Sequence, residues 1–213
     1  MEIGVVGLGK MGSQIAQKLS DSSFKVFGYD QDEELSKNLD SSYEIDNNLS
    51  SLMDRFTSKK IIWLMVPSGD PTNSLVRELS KLMNNGDIII DGGNSYYKDS
   101  IKNSDICSQN GISFLDCGTS GGVWGLKNGF CLTIGGSENT YKEVLEIFNT
   151  LSTVDTKGGL FVGSSGSGHF VKMIHNGIEY GMMQSMAEGI EILHEKEEFN
   201  LDLAKITSLL ASM

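Results

Sequence analysis

The sequence predicts an α/β fold, in which a doubly wound sheet is followed by the start of an all-helical domain. Three features of the 213 residues support this prediction. Strand-like and helix-like segments alternate as far as Phe161, a glycine- and serine-rich run follows at 163–168, and only helix-like segments come after it. Such alternation is typical of a mostly parallel sheet with helices on both faces. We therefore predict one domain over residues 1–163 and a second that begins over residues 164–213.

The predicted strands of the first domain are short runs rich in β-branched and aromatic residues. They are Glu2–Val6, Lys25–Tyr29, Lys60–Val66, Asp87–Asp91, Ile112–Asp116 and Phe130–Ile134. Apolar residues at helical spacing predict the helices that connect them. These are Met11–Leu19, Gln31–Asn38, Thr72–Met83, Tyr96–Asn110 and Glu138–Leu151.

The second domain is predicted to hold a long helix from His169 to His194 and another from Leu201 to Met213. The last helix ends in the middle of its apolar pattern, without a cap or a polar tail. We therefore expect that its apolar face is covered by further sequence or by a partner subunit.

Composition and charge exclude several classes of function. With 17 Lys and Arg against 28 Asp and Glu, the net charge of −11 argues against nucleic acid or a membrane as a partner. No stretch approaches the roughly 20 apolar residues of a membrane span, and no signal peptide is visible before the first strand. Cys107, Cys117 and Cys131 lack the spacing of a metal site, so we expect free thiols in the cytoplasm and no bound metal.

A glycine-rich motif joins the first strand to the first helix. It consists of Gly7, Leu8, Gly9, Lys10, Met11 and Gly12. Its glycines permit a tight turn and a close approach of backbone to a pyrophosphate, and the helix N-terminus supplies unpaired N–H groups. This motif between a strand and a helix predicts a dinucleotide site. The alternative is a glycine-rich turn that binds no ligand.

Asp30 at the end of the second strand indicates which dinucleotide is bound. It lies within the roughly 20-residue offset expected for the acidic residue that accepts hydrogen bonds from the adenosine ribose. Its charge, with those of Asp32, Glu33 and Glu34, repels a 2′-phosphate, so we predict NAD rather than NADP. The alternative is that Asp30 only caps the next helix.

Two further strand ends are candidates for the same site. Val66 and Pro67 end the apolar strand over 60–66, and the carboxyl ends of strands line the ligand crevice of a doubly wound sheet. Asn94 follows the strand over 87–91 and has the groups to hydrogen-bond a nicotinamide amide or a polyol. A plain β-to-helix loop and a turn-forming Asn are the alternatives.

A second constellation lies on the long helix of the second domain. Lys172, Asn176 and Glu179 share one helix face, and apolar residues occupy the opposite surface, so we expect a largely buried helix with a substrate pocket. The alternative is a Lys–Glu ion pair on a hydrated face. Ser120, Gly121 and Gly122 predict a loop that offers backbone N–H groups to an anion, unless it is only a structural turn.

Together these motifs resemble the 6-phosphogluconate dehydrogenase family, the decarboxylating enzymes of the pentose phosphate pathway and gluconate metabolism. The segments that carry the resemblance are Gly7–Gly12, Asp91–Ser95, Ser120–Gly122, Gly125–Gly129 and Gly168–Tyr180. It extends from Met1 to about His194, and its most specific part is Lys-Met-Ile-His-Asn-Gly-Ile-Glu-Tyr from Lys172 to Tyr180. Asp30 and the sequence of Thr119–Gly125 resemble those of the short, NAD-preferring branch of the family.

The resemblance implies a Rossmann-type domain, a helical substrate and dimerisation domain, and a homodimer. It implies oxidative decarboxylation of a sugar-acid phosphate, 6-phosphogluconate, to ribulose 5-phosphate and CO2, with hydride transfer to NAD. Lys172 is expected to be the general base and acid, and Glu179 to handle the proton at C1. The substrate would be held by Asn94, Ser120, Gly121, Gly122, His175 and Asn176, with Tyr180 near its phosphate, while Met11 and Val66 border the cofactor.

The chain departs from the family pattern in its length. Family members continue beyond the position of Met213, and their later helices supply a lysine and arginines to the phosphate site. We therefore expect a C-terminally truncated chain, of which Arg55 and Arg77 are the only arginines. The alternatives are a related β-hydroxyacid dehydrogenase and a non-catalytic NAD-binding fragment.

Overall fold

Eight strands and ten α-helices occur in the part of the chain that this computed structural model describes, residues 1–38 and 42–211. The strands are β1 (Glu2–Val6), β2 (Lys25–Tyr29), β3 (Glu44–Asp46), β4 (Ile61–Leu64), β5 (Ile88–Asp91), β6 (Ser113–Ser120), β7 (Cys131–Gly136) and β8 (Leu160–Gly163). The helices are α1 (Lys10–Asp21), α2 (Glu33–Asn38), α3 (Leu49–Asp54), α4 (Asp70–Leu82), α5 (Tyr97–Gln109), α6 (Gly125–Asn128), α7 (Glu138–Glu143), α8 (Leu145–Leu151), α9 (Ser167–Glu195) and α10 (Leu203–Leu210).

All the strands join one sheet, in the order β3-β2-β1-β4-β5-β6-β7-β8. Every neighbouring pair is parallel except β6 and β7, which are antiparallel. Helices follow the sheet towards the C-terminus. The predicted α/β fold, a doubly wound and mostly parallel sheet followed by helices, is therefore confirmed.

The core consists of two apolar layers, one on each face of the sheet. Along β4, Ile61 and Trp63 belong to one layer while Ile62 and Leu64 belong to the other, and all four are buried. The first layer is completed by apolar residues of α1 and α8, the second by those of α3 and α4. Because both faces are covered, the central strands are continuous apolar runs rather than alternating ones.

Short elements at the sheet edges escape prediction from sequence. In β3, which pairs with β2 at one edge, Glu44 and Asp46 both bind Arg55, so the strand lacks the apolar alternation that indicates a strand. Sequence analysis also misses the strand β8, which forms the other edge of the sheet, and the helix α3. The single helix predicted over 138–151 is two helices, because the backbone leaves the helical region at Val144 (φ −107°, ψ 17°).

The C-terminal helices differ from prediction in two ways. The helix α10 begins at Leu203, where the Asp202 side chain caps it by accepting a hydrogen bond from the N–H of Lys205 at 3.1 Å. Of its predicted extent, Ser212 and Met213 lie outside the described residues. The expectation of a largely buried long helix is wrong for this chain, since the described residues leave Ile178 and Met182 each 61 % exposed. Only Gly168 and His169 of α9 are buried.

Contacts between residues divide the chain into two units. The first runs from Met1 to Lys172 and contains the sheet, and the second begins at Met173. The division therefore falls within α9, whereas our predicted boundary between residues 163 and 164 stays a prediction. In the described part of the chain, no helix is long and apolar enough to cross a membrane, and no group of His, Cys, Asp and Glu side chains forms a metal site.

Glu2 ties the start of β1 to the loop before β4. Its carboxylate accepts hydrogen bonds from the N–H of Thr57 at 2.8 Å, the Thr57 hydroxyl at 3.1 Å and the Lys25 amine at 3.0 Å. Burial alone would raise the pKa of Glu2, but these hydrogen bonds and the charge of Lys25 outweigh it. The pKa of Glu2 therefore falls from 4.5 to about 2.

Replacing Glu2 by Gln is expected to destabilise the protein at neutral pH and not in strong acid. Because the folded-state pKa is lowered, the ionised carboxylate stabilises the fold above its unfolded pKa of about 4.3, and this contribution is lost as the pH falls towards the folded value. Urea unfolding from about pH 7 to about pH 2 measures the difference in free energy of unfolding. The control variant Glu146→Gln, at an exposed position of α8, should match the wild type throughout. A deficit in Glu2→Gln that stays constant down to the lowest pH would contradict this account.

Candidate functional site

A cleft of about 860 Å³ opens at the carboxyl edge of the parallel strands. The loops after β1, β2, β4 and β5 form its walls, which is where a doubly wound sheet binds ligands. The predicted cofactor residues that line it are Gly7, Gly9, Lys10, Met11, Gly12, Asp30, Val66, Pro67 and Asn94. Other residues of the wall, which sequence analysis does not assign to the cofactor site, include Tyr29, Ser74, Glu78 and Thr119.

The glycine-rich turn brings α1 directly against the end of β1. Gly7 has a φ of +92°, and its N–H donates to the carbonyl of Tyr29 at 2.9 Å. A Cβ atom on Gly12 would lie 1.8 Å from the carbonyl oxygen of Gly7, so only glycine fits there. The first turn of α1, which is described in full, carries no acidic side chain and no side-chain cap on Gly9. Its N–H groups can therefore bind an anion such as a pyrophosphate.

Asp30 joins two loops at the edge of the cleft. Its Oδ2 accepts a hydrogen bond from the N–H of Leu8 at 2.6 Å, and its Oδ1 accepts one from the N–H of Asp32 at 2.9 Å. Leu8 itself is buried and contributes only its backbone. The helix α2 is capped instead by Asp32, whose Oδ1 accepts from the N–H groups of Glu34 and Leu35. The side chain that caps α2 is therefore that of Asp32 rather than that of Asp30.

This end of the cleft is negatively charged. Asp30, Asp32 and Glu78 all line it. Burial raises the pKa of the Tyr29 hydroxyl, and the charges of Glu78 and Asp30 raise it further.

A buried polar group lies beneath the loop that carries Asn94. Asp91 ends β5, and burial raises the pKa of its carboxyl group. Its Oδ1 accepts a hydrogen bond from the N–H of Gly93 at 3.1 Å. Hydrogen bonds from Ser95 and from the Gly93 N–H counteract this rise in pKa. Among the described residues nearby, His169 Nε2 is buried without a hydrogen-bond partner. Neither Asp91 nor His169 is singled out as a site residue by sequence analysis.

Lys172 lies beside the strand that reaches the cleft. The helix α9 approaches β6 so closely that a Cβ atom on Gly118 would lie 2.5 Å from the Cβ of Lys172. The next residue of β6, Thr119, lines the cleft. Lys172 thus packs against the residue of β6 that directly precedes a residue lining the predicted cofactor site. Its role as the base stays a prediction.

The predicted anion loop follows the same strand. Ser120 ends β6, and Gly121 and Gly122 have φ values of +149° and +51° as the chain turns into a short 3-10 helix over Gly122–Trp124. The segment is tied to α1, since the N–H of Leu126 donates to Gln14 Oε1 at 3.0 Å. The loop thus lies at the same carboxyl edge of the sheet as the cleft.

The remaining predicted substrate residues belong to the second unit. His175, Asn176, Glu179 and Tyr180 follow one another on α9. His175 Nδ1 lies 3.8 Å from Glu179 Oε2, and both side chains are more than half exposed. Tyr180 is 68 % exposed. The roles of these residues stay predictions.

Family models match most of the chain. Residues 2–163 match the NAD binding domain of 6-phosphogluconate dehydrogenase, and residues 168–212 match the C-terminal domain of 6-phosphogluconate dehydrogenase.

Two relatives carry the name NAD(+)-dependent, decarboxylating 6-phosphogluconate dehydrogenase. The protein from Haloferax volcanii is 38 % identical over 207 residues, which cover 97 % of this chain and 68 % of the relative. The protein from Bacillus subtilis is 36 % identical over 211 residues, which cover 94 % of this chain and 44 % of the relative. The chain thus spans about two thirds of one relative and less than half of the other.

Solved structures show the same fold. The 6-phosphogluconate dehydrogenase of Plasmodium falciparum, determined with NADP+ and with 6-phosphogluconate, has a TM-score of 0.83 at 29 % identity over 93 % of this chain and 44 % of its own. The 3-hydroxyisobutyrate dehydrogenase of Mycobacterium tuberculosis has a TM-score of 0.81 at 18 % identity over 100 % of this chain and 70 % of its own, and this likeness concerns the fold alone. The family models and the relatives agree with the resemblance in the sequence: the chain belongs to the 6-phosphogluconate dehydrogenase family.

Proposed function

We propose that this chain belongs to an enzyme that oxidatively decarboxylates 6-phosphogluconate to ribulose 5-phosphate and CO2, with NAD as the hydride acceptor. One observation carries the proposal. The cleft formed by the glycine-rich turn is lined in part by Thr119, which directly follows Gly118, and Lys172 packs against Gly118. A dinucleotide site and an amine are thereby available to one small substrate.

The described residues fit the dinucleotide. The first turn of α1 can accept its pyrophosphate, and the Asp30 carboxylate faces the cleft where an adenosine ribose would lie. When bound, NAD supplies the hydride acceptor. We propose NAD in preference to NADP because three carboxylates, those of Asp30, Asp32 and Glu78, line the cleft.

In this proposal Lys172 performs the acid–base work. As a neutral amine it removes the proton from the C3 hydroxyl while C3 loses its hydride, which leaves a β-keto acid. The ketone then accepts the electrons released when the carboxylate leaves as CO2, and the protonated Lys172 stabilises the developing oxyanion. Glu179 in its protonated form delivers a proton to the carbon that becomes C1 of the product.

Substrate contacts and assembly are also proposals. Asn94, Ser120 and the two glycines after it would hold the sugar acid, with His175, Asn176 and Tyr180 from α9. We propose a homodimer in the cytoplasm, because apolar residues of α9 such as Ile178 and Ile192 are 61 % and 71 % exposed in a single chain. The net charge of −11 disfavours nucleic acid and membrane as partners.

Replacing Lys172 by Met is expected to lower turnover of 6-phosphogluconate by at least about 100-fold, because a positioned general base contributes about that much. NAD should still bind, since Lys172 does not line the cleft. NADH formation and CO2 release measure turnover, and calorimetry measures NAD binding. The control Lys157→Met, at an exposed lysine outside the cleft, should behave as wild type. Wild-type turnover by Lys172→Met would remove it as the base, and turnover of 3-hydroxyisobutyrate but not of 6-phosphogluconate would reject the substrate.

Replacing Asp30 by Ser is expected to lower the ratio of kcat/KM for NAD to that for NADP by about tenfold or more. The substitution removes the charge that repels the 2′-phosphate, and about 1.4 kcal/mol of repulsion corresponds to a tenfold ratio. Steady-state kinetics with both dinucleotides measure the ratio. Asp155→Ser, at an exposed position outside the cleft, serves as the matched loss of one negative charge. An unchanged ratio in Asp30→Ser would show that Asp30 does not discriminate.

A further inference from the structure

The start of α9 is held to the sheet by one buried carboxylate. Asp116 lies in β6 and is fully buried. Its Oδ1 accepts a hydrogen bond from the N–H of Gly166 at 2.6 Å, and its Oδ2 accepts one from the N–H of His169 at 2.9 Å. Both donors belong to the segment that opens α9, so the carboxylate satisfies N–H groups that have no partner within the helix.

The same turn is fixed at two other points. The hydroxyl of Thr133 in β7 donates to the carbonyl of Gly168 at 3.0 Å. The ring of His169, which is 1 % exposed, is paired through Nδ1 with the hydroxyl of Ser100 in α5 at 2.7 Å. Asp116, Thr133 and Ser100 therefore hold three residues at the start of α9, namely Gly166, Gly168 and His169.

Lys172 follows His169 by three residues, which is less than one turn of helix. On β6, Gly118 follows Asp116 by two residues and lies against the Cβ of Lys172. The strand β6 therefore carries both Asp116, which binds the start of α9, and Gly118, against which Lys172 packs. Any shift of the first turn of α9 relative to β6 moves the Lys172 amine relative to Thr119 and the cleft.

We infer that Asp116 is a positioning residue for Lys172. Its carboxylate fixes the first turn of α9 on β6, so that the amine stands where it can take a proton from a substrate oriented on the bound dinucleotide. This inference rests on the proposed function, in which Lys172 is the base. A misplacement of about 1 Å at a reacting group lowers rates by about 100-fold, which makes such a clamp consequential for catalysis.

The test compares Asp116→Asn with a matched control. The Asn side chain keeps one acceptor oxygen and places an NH2 group against the second backbone N–H, so half of the clamp is lost. The control is Asp87→Asn, because Asp87 is also a buried aspartate whose two oxygens accept backbone N–H groups, those of Lys60 at 2.9 Å and Asn84 at 2.7 Å. Asp87 precedes β5 and does not line the cleft.

Asp116→Asn is expected to lower kcat by about 10- to 100-fold with the dissociation constant of NAD unchanged. Asp87→Asn should lose comparable stability in urea and keep its kcat. A loss of kcat in Asp116→Asn no larger than that in Asp87→Asn would overturn the inference. Should Asp116→Asn not fold, Thr133→Val decides, since it removes a hydrogen bond to the same turn: reduced kcat supports positioning, and wild-type kcat overturns it.

A second measurement separates this inference from the proposed function. The rate at which trinitrobenzenesulfonate modifies Lys172, followed by peptide mass spectrometry, requires no substrate. If the amine is positioned by Asp116, this rate differs between wild type and Asp116→Asn and is unchanged in Asp87→Asn. Equal rates in all three proteins would overturn the inference, even if 6-phosphogluconate is turned over. A changed rate in a protein that does not turn over 6-phosphogluconate would leave the positioning intact and reject the proposed substrate.

Discussion

Parallel pairing of β1, β4, β5 and β6 is the constraint on which the rest of the structure depends. Parallel strands end at one edge of the sheet, so the loops that follow them converge there without long excursions of the chain. The glycine-rich turn, Asp30 and Asn94 reach one cleft for this reason, and β6 brings the start of α9 to the same edge. The site is thus a product of strand direction more than of any single contact.

The negative charge of the chain opposes the binding of anionic ligands. The chain has a net charge of −11, and carboxylates line one end of the cleft, yet the proposed substrate and cofactor are both anions. Backbone N–H groups at the start of α1 offset part of this repulsion between the chain and anionic ligands, because a helix N-terminus attracts phosphate without a side-chain cation. Of the two arginines, Arg55 already binds Glu44 and Asp46.

The residues that sequence predicts and those that it misses differ in the range of their contacts. The glycine motif and Asp30 are recognisable because spacing within a strand, turn and helix fixes their chemistry. Asp116 binds N–H groups that are 50 and 53 residues further along the chain, and no local pattern indicates such a pairing. The burial of α9 was wrongly expected because an apolar face indicates only that something covers it, not that this chain does. The acidic residues of β3 give no strand pattern in the sequence, and pairing with β2 stabilises this strand.

A crystal structure of the protein with NAD and 6-phosphogluconate tests the central claim most directly, namely that Lys172 and the dinucleotide cleft serve one substrate. The account predicts that C3 of the sugar acid lies about 3.5 Å from C4 of the nicotinamide ring, with the Lys172 amine within about 3.2 Å of the C3 hydroxyl. A complex in which the dinucleotide occupies the cleft while the Lys172 amine points away from the substrate would contradict it.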